Sequence, residues 1–484
     1  PTSLPGSGGI GTMGEDAIRF VDFLSSMGMS YWQVLPLTPP ACGNSPYSAF
    51  SAFAGNPLLI DLNQLVADGH LSEINDCDSL DDNKVDFEAV TECKMKMLRL
   101  AGANFLKSET SVYKQEFWDF CNNTAWLHNY SLFMALKKHY KGKSWDKWPL
   151  DFALLTPENY ETASVKFGLE IGIQKYIQWQ FQRQWKKLRR YAAENGIAII
   201  GDIPIFVGYD SADVWSHREL FLLNQDGKPT FVAGVPPDYF SKTGQLWGNP
   251  LYNWEIMSSQ NFVWWVERFR AMLELYDIIR VDHFRGFEAS WNVAATEKTA
   301  INGSWVKAPG ALLFDTLLEA LGEIPVIAED LGMITPEVIA LRDRYCFPGM
   351  KIEQFAFDSD ALNPYLPHNH EKRSIVYSGT HDNDTTVGWY NSLNESQRVR
   401  VGEYLGTGEE GIVDGILRTV LMSVADTAII PLQDLIGLGS EARMNVPGMA
   451  FGNWSWRFRW DMIPAYMPSN IYAQIECYGR NNRF

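Results

Sequence analysis

Cysteine is scarce in this chain. Six residues in 484, Cys42, Cys77, Cys93, Cys121, Cys346 and Cys477, are spread along its length. None forms a Cys-x-x-Cys pair, which argues against a thiol redox centre or a zinc ribbon. Thiols this sparse are expected to be free, in a reducing compartment, rather than a disulfide framework. Long apolar runs are missing too. No stretch reaches the roughly 18–20 residues of a membrane span. Positive charge is in deficit, with 41 Lys and Arg against 58 Asp and Glu, a formal net charge of −17. That balance argues against nucleic acid and anionic membrane surfaces as partners. The opening Pro1-Thr2-Ser3-Leu4-Pro5-Gly6 has neither the look of a signal peptide nor an initiator Met, and is expected to be a trimmed or processed start.

Aromatic side chains, in contrast, are plentiful: 18 Trp, 20 Tyr and 27 Phe. Most must pack a core. A minority is expected to line a groove, because aromatic faces stack on the apolar faces of sugars.

Short apolar, β-favouring runs recur at 31–37, 198–207, 277–284, 325–329, 350–355, 374–378 and 428–432, with helical patterns between them. Strands alternating with helices indicate a parallel sheet. No Gly-x-Gly-x-x-Gly or Walker-type loop follows any of these runs, as an open nucleotide-binding sheet would require. Gly6-Ser7-Gly8-Gly9 has no strand before it and reads as a turn. The predicted fold is therefore α/β: a (β/α)8 TIM-type barrel with large insertions, whose eighth strand lies at or before the start. The whole chain, 1–484, is expected to be one catalytic barrel. Residues 62–195 are predicted to be a mostly helical insertion between the second and third strands, with helices over 86–107, 114–139 and 165–195 and a stop at Gly196. Residues 208–274, rich in Pro, Gly and aromatics, read as a loop-rich insertion between the third and fourth.

Three acidic segments sit where strands run out: Ile278-Ile279-Arg280-Val281-Asp282-His283, Val326-Ile327-Ala328-Glu329-Asp330 and Ser378-Gly379-Thr380-His381-Asp382-Asn383-Asp384. Carboxylates at the ends of several strands predict a catalytic cluster at a barrel mouth. Three of them suit a positively charged transition state, with glycosyl transfer the leading case. Residues i and i+2 of a strand share a face, so Arg280 and Asp282 are expected to point the same way. An arginine beside a carboxylate favours its ionised form, as a nucleophile requires. Glu329, close to other carboxylates, is expected to have a raised pKa and to act as general acid. Asp382 and His381 are candidates for gripping sugar hydroxyls, and Asp202 is a further polar residue inside a strand run. The same residue types also permit a rival, a barrel hydrolase with a divalent metal on Asp202, Asp282, His283, His381 and Asp382. Only His368-Asn369-His370 has metal-ligand spacing, and it lies in a Pro- and Asn-rich loop.

Together these segments resemble the amylomaltases, or 4-α-glucanotransferases, of glycoside hydrolase family 77 in the α-amylase clan. The resemblance runs through Pro1–Gly6, Trp32-Gln33-Val34-Leu35-Pro36-Leu37, the stretch 45–57, Gly201-Asp202-Ile203-Pro204-Ile205-Phe206-Val207, Gly234-Val235-Pro236-Pro237-Asp238-Tyr239-Phe240 and Phe451-Gly452-Asn453-Trp454-Ser455-Trp456-Arg457. It implies Asp282 as nucleophile, Glu329 as general acid/base and Asp382 as the carboxylate that stabilises the distorted ring. It implies substrate contacts at Tyr47, Asp202, Arg280, His381 and Asn453, and a mobile loop near the cleft carrying Asp238, Tyr239, Phe240, Gln245 and Trp247. It implies no cofactor, no metal and no C-terminal β-sandwich. The implied reaction moves α-1,4-linked glucan segments, from donors that include maltooligosaccharides, to the 4-hydroxyl of an acceptor glucan or glucose. An amylase-like hydrolase is the alternative, and a non-catalytic glucan-binding protein a further one. The implied compartment is the cytoplasm, or alternatively a plastid stroma.

Overall fold

The computed structural model describes residues 1–75, 81–109, 111–237 and 241–481. Its strands, in chain order, are β1 (Tyr31–Gln33), β2 (Ala198–Pro204), β3 (Phe231–Val235), β4 (Gln245–Pro250), β5 (Ile278–Asp282), β6 (Ala289–Ala294), β7 (Gly303–Lys307), β8 (Val326–Ala328), β9 (Gly349–Ile352), β10 (Ser374–Tyr377) and β11 (Thr427–Ile429). All seven apolar runs became strands, each shorter than its run. β1, β2, β5 and β8 pair in parallel in that order, and so do β9, β10 and β11. A backbone hydrogen bond from Ala328 to the Pro348 carbonyl, 3.0 Å, joins the two sets. The result is an α/β barrel-type wall of seven parallel strands among the described residues. After β11 the described chain adds helices and turns but no further strand.

Strand alternation sorts the side chains. Ile199, Ile203, Ile279 and Val281 face outward into the main core, packed under helices. Ile200, Ile278, Ile327, Ile375 and Ile429 face inward and plug the barrel with Met350, Ile352 and Tyr377. Two residues further along the same inward faces, the plug gives way to Asp202, Arg280 and Glu329. An apolar floor thus closes one end of the barrel and leaves a polar mouth at the other. β11 and β1 do not pair with each other. A cavity of about 340 Å³ lies between them, lined by Leu24, Met27, Trp32, Ile429, Trp456 and Phe458 among others.

Between β1 and β2 run the helices Leu62–Ala67, Phe87–Lys107, Lys114–Asn123, Leu127–His139, Pro157–Lys166 and Gly168–Glu194, with short turns among them. The predicted helix over 114–139 is two helices. The chain leaves helical geometry at Thr124 (φ −112°, ψ 95°) and restarts at Leu127. Gly196 does end the long helix, with a left-handed φ of 74°. That helix buries Ile173, Tyr176, Ile177, Phe181, Trp185, Leu188 and Ala192, close to a 3.6-residue repeat.

The stretch 208–274, read as loop-rich, holds β3 and β4 as well as the helices Trp254–Ser259 and Val263–Leu275. With β6 and β7 these strands form an antiparallel sheet in the order β4-β3-β6-β7. Its sequences alternate poorly. β6 buries Ser290 and Asn292, and β4 contains Gly248 and ends in Pro250, so the period-two signal is lost. Cysteine needs a correction too. Cys121, Cys346 and Cys477 are free, but Cys93 is disulfide-bonded. Pairing depends on which thiols the fold brings together, which spacing alone does not reveal. Among the described residues no helix is long and apolar enough to cross a membrane.

Candidate active site

Arg280 and Asp282 do share the inward face of β5. Arg280 Nη1 donates to Asp282 Oδ1 at 3.1 Å and to Asp202 Oδ2, on neighbouring β2, at 2.6 Å. Asp202 and Arg280 are sealed in, whereas the Asp282 side chain keeps 29% of its exposure and faces the mouth. Burial lowers Arg280, but the fields of Asp202 and Asp282 outweigh it and hold the guanidinium well above its ordinary range. The buried cation therefore fixes the direction of the Asp282 carboxylate by a charge-assisted hydrogen bond.

Glu329 follows β8 directly. Its Oε2 accepts the His283 N–H at 2.6 Å and its Oε1 the Leu331 N–H at 3.0 Å. Burial, then the charge of Asp282, push its pKa up to about 8, against the pull of Arg280 and of those two amides. Near neutrality this carboxyl holds a proton next to Asp282. A carboxyl that keeps its proton near neutrality can serve as a proton donor.

Asp382 lies in the loop after β10, its side chain 51% exposed. Asn445 Nδ2 donates to its Oδ1 at 2.6 Å, and Arg443 Nη2 to its backbone carbonyl at 2.7 Å. His381 Nε2 stands 3.5 Å from Asp382 Oδ2. The His381 ring stacks on Tyr47, with centroids 4.9 Å apart and planes 15° apart. Tyr47 in turn donates its hydroxyl to Asp202 Oδ2 at 2.7 Å. Burial, then Asp202, push the Tyr47 phenol well above its ordinary value, so it remains a donor. Trp454, itself left-handed at φ 67°, backs both rings at 5.9 and 5.8 Å. The structure thus brings Tyr47, Asp202, Arg280, Asp282, His381 and Asp382 into one connected network.

Asn453 lies in the segment before Trp454. Its Oδ1 accepts the Val446 N–H at 3.1 Å and its Nδ2 donates to the Met449 carbonyl at 2.9 Å, so its amide braces the turn that follows Asn445. Gln245 and Trp247 lie on β4. Gln245 Oε1 accepts the Trp247 indole N–H at 3.3 Å, and the Trp247 ring meets His283 edge-on at 4.7 Å. Asp238, Tyr239 and Phe240 lie outside the described residues. Of the metal-spaced pair, His368 bonds Tyr404 and the Ala361 carbonyl, and His370 bonds Ser423 and the Tyr365 carbonyl. Both rings tie their loop to the helices over 395–405 and 412–422.

A family model described as 4-alpha-glucanotransferase matches residues 1–462. The chain belongs to the 4-α-glucanotransferase family. The 4-alpha-glucanotransferase of Synechocystis sp. is 46% identical over 99% of this chain and 96% of its own length. The chloroplastic/amyloplastic 4-alpha-glucanotransferase of Solanum tuberosum is 47% identical over 94% of this chain and 81% of its own. Among solved structures, an amylomaltase from Streptococcus agalactiae in complex with acarbose superposes with a TM-score of 0.96 at 39% identity, covering 99% of this chain and 98% of that one.

Around the cluster stand residues that the sequence does not mark: Arg443, Asn445 and Trp454. Arg443 and Asn445 follow no strand, so nothing at a strand end pointed to them. Trp454 sits beside Asn453 in a segment already singled out, but a buried aromatic gives no signal apart from core packing. The sequence marks His283 only as a candidate metal ligand.

Proposed function

We propose that this 4-α-glucanotransferase works by retaining double displacement, with the reacting groups at Asp282, Glu329 and Asp382. The observation that carries the reading is the contrast between two neighbouring carboxyls. One is steered by Arg280 and open to the cleft; the other is enclosed and protonated. In the first step an Asp282 oxygen attacks the anomeric carbon. The glycosidic bond breaks, and the departing oxygen takes the proton of Glu329. A glycosyl ester on Asp282 results. In the second step the 4-hydroxyl of an acceptor glucose or glucan gives its proton to Glu329 while its oxygen attacks the same carbon, and the ester bond to Asp282 breaks. A retaining pair of this kind stands about 5–5.5 Å apart, carboxyl to carboxyl. Asp382, steadied by Asn445, holds ring hydroxyls as the sugar flattens. Tyr47 offers an aromatic face, and Asp202, Arg280 and His381 complete the floor.

The substrates on this reading are α-1,4-glucans and maltooligosaccharides, supported by acarbose in the amylomaltase of high structural similarity. Trp247, on the strand that leads out of the 234–247 segment, stands at the cleft wall, where a covering segment would favour sugar over water as acceptor. The chain, 1–484, is read as one catalytic unit, supported by the continuity of its main core from the barrel strands into the helices of 62–195 and the elements of 208–274. The compartment is read as cytoplasm, with a plastid stroma the alternative. Three free thiols support the reading, and the disulfide at Cys93 weighs against it.

Incubation with maltotriose tests the reaction. A ladder of longer oligosaccharides plus glucose supports transfer, whereas maltose and glucose alone would show an amylase-like hydrolase. Asp282→Asn is expected to lower kcat by at least about 10⁴-fold. Because Glu329 must begin protonated, kcat/KM is expected to fall as pH rises through about 8.

A further inference from the structure

We propose that His283 is a positioning residue for Glu329, and that the seating of Trp247 on its ring sets how it acts. The inference rests on Glu329 as the acid/base. His283 directly follows Asp282 and has a left-handed backbone, φ 50°, a conformation uncommon for a residue with a side chain. That twist turns the chain at the end of β5 and aims the His283 N–H at Glu329 Oε2. Among the described residues the Leu331 N–H serves the other oxygen, so each amide has one oxygen to itself.

The imidazole makes the second half of the case. Among the described residues its buried Nε2 has no hydrogen-bond partner. Aromatic rings hold it instead: Trp247 edge-on at 4.7 Å and Phe206 at 6.5 Å. A residue selected only to fill space would need neither a strained backbone nor a polar ring atom without a partner. The ring gives the strand bearing Trp247 a surface to rest on, one residue from the nucleophile. A seated Trp247 keeps the His283 peptide turned toward Glu329. When Glu329 gives up its proton, Oε2 becomes anionic and that N–H bond strengthens. Loosening Trp247 therefore weakens the acid. Among the described residues, the other charged and titratable groups facing Glu329 are Asp282 and Arg280 of β5 and Tyr365, beyond β9; Asp282 and Arg285 face His283. The amide of His283 is the donor on Oε2 itself.

The test is the pH profile of kcat/KM for maltotriose disproportionation. Trp247→Ala is expected to move the basic limb to higher pH by a few tenths of a unit, because a carboxylate losing a donor holds its proton longer. His283→Asn keeps a residue that tolerates the left-handed backbone but removes the ring, so it should move the limb by the same amount. The double variant should move it no further, since both changes break one link. His283→Val, which cannot hold that backbone comfortably, should move the limb further and lower kcat about tenfold. Full addition of the two shifts in the double variant would overturn the proposal, as would a limb that none of these changes moves. If the valine variant fails to fold, the Trp247 and Asn cycle decides alone. Glu329→Gln separates the two readings. A limb that survives it removes Glu329 from the chemistry. A limb that vanishes in it, yet ignores His283 and Trp247, defeats only the present inference.

Discussion

Asp382 shows how one residue depends on groups far away in sequence. It is exposed and sits in a loop, where the Thr380 hydroxyl accepts its N–H at 3.3 Å and His381 Nε2 stands 3.5 Å from its carboxylate. Asn445 and Arg443, more than sixty positions later, hold its carboxylate and its carbonyl. Asn445→Ala should lower kcat roughly tenfold by letting the carboxylate wander, with KM and melting temperature little changed. A purely structural asparagine would lower the melting temperature and leave kcat alone. At this scale the sequence was legible where chemistry coincides with a strand end. Asp282, Glu329 and Arg280 each follow or occupy an apolar run, so strand period gives their direction. Asn445 and Trp454 come from irregular chain, whose path depends on tertiary contacts and leaves no periodic trace. The loop-bracing contacts of Asn453 leave no periodic trace either.

Single elements carry the next level. β9 runs into a buried acid outside the cleft, Glu353, whose Oε1 accepts the Thr419 hydroxyl while Oε2 has no partner among the described residues. Burial pushes it up to about 8 from an ordinary 4.5, with Thr419 pulling weakly the other way. A carboxyl raised in the folded state contributes stability that is full at low pH and lost as pH climbs from 4.5 through about 8. For a shift this large the loss is on the order of several kcal/mol. Glu353→Gln, neutral at every pH, should therefore melt above the parent beyond pH 8, and the difference should shrink toward pH 4.5. A constant difference across that range would show that Glu353 does not titrate there. Elements differ in legibility for a related physical reason. The seven barrel strands are covered on one face by helices and on the other by the plug, so they are continuous apolar runs. The antiparallel sheet lies nearer solvent, packs Ser290 and Asn292, and bulges between Val232 and Gly234. It has no such run to reveal it.

For the whole molecule, the gap between β11 and β1 is the main irregularity. β11 has one neighbour where β10 has two. In a parallel strand alternate N–H groups serve opposite neighbours, so those on the open side of β11 have no ladder partner. Amide exchange should therefore be faster in Thr427–Ile429 than in Ser374–Tyr377, and equal protection would show that the barrel edge is sealed. Nearby, the segment after β11 ties the start of the chain to its later part. Phe458 N–H donates to the Ser3 carbonyl, and Arg457 reaches the Leu4 and Gly6 carbonyls.

That stitching orders events during synthesis. All seven barrel strands leave the ribosome before residues 443–458 do. A nascent chain can therefore own Asp282, Glu329 and Asp382 and still lack Arg443 and Asn445 to hold the third of them. On the proposed reading, the third carboxylate is held in place only after every barrel strand has been made.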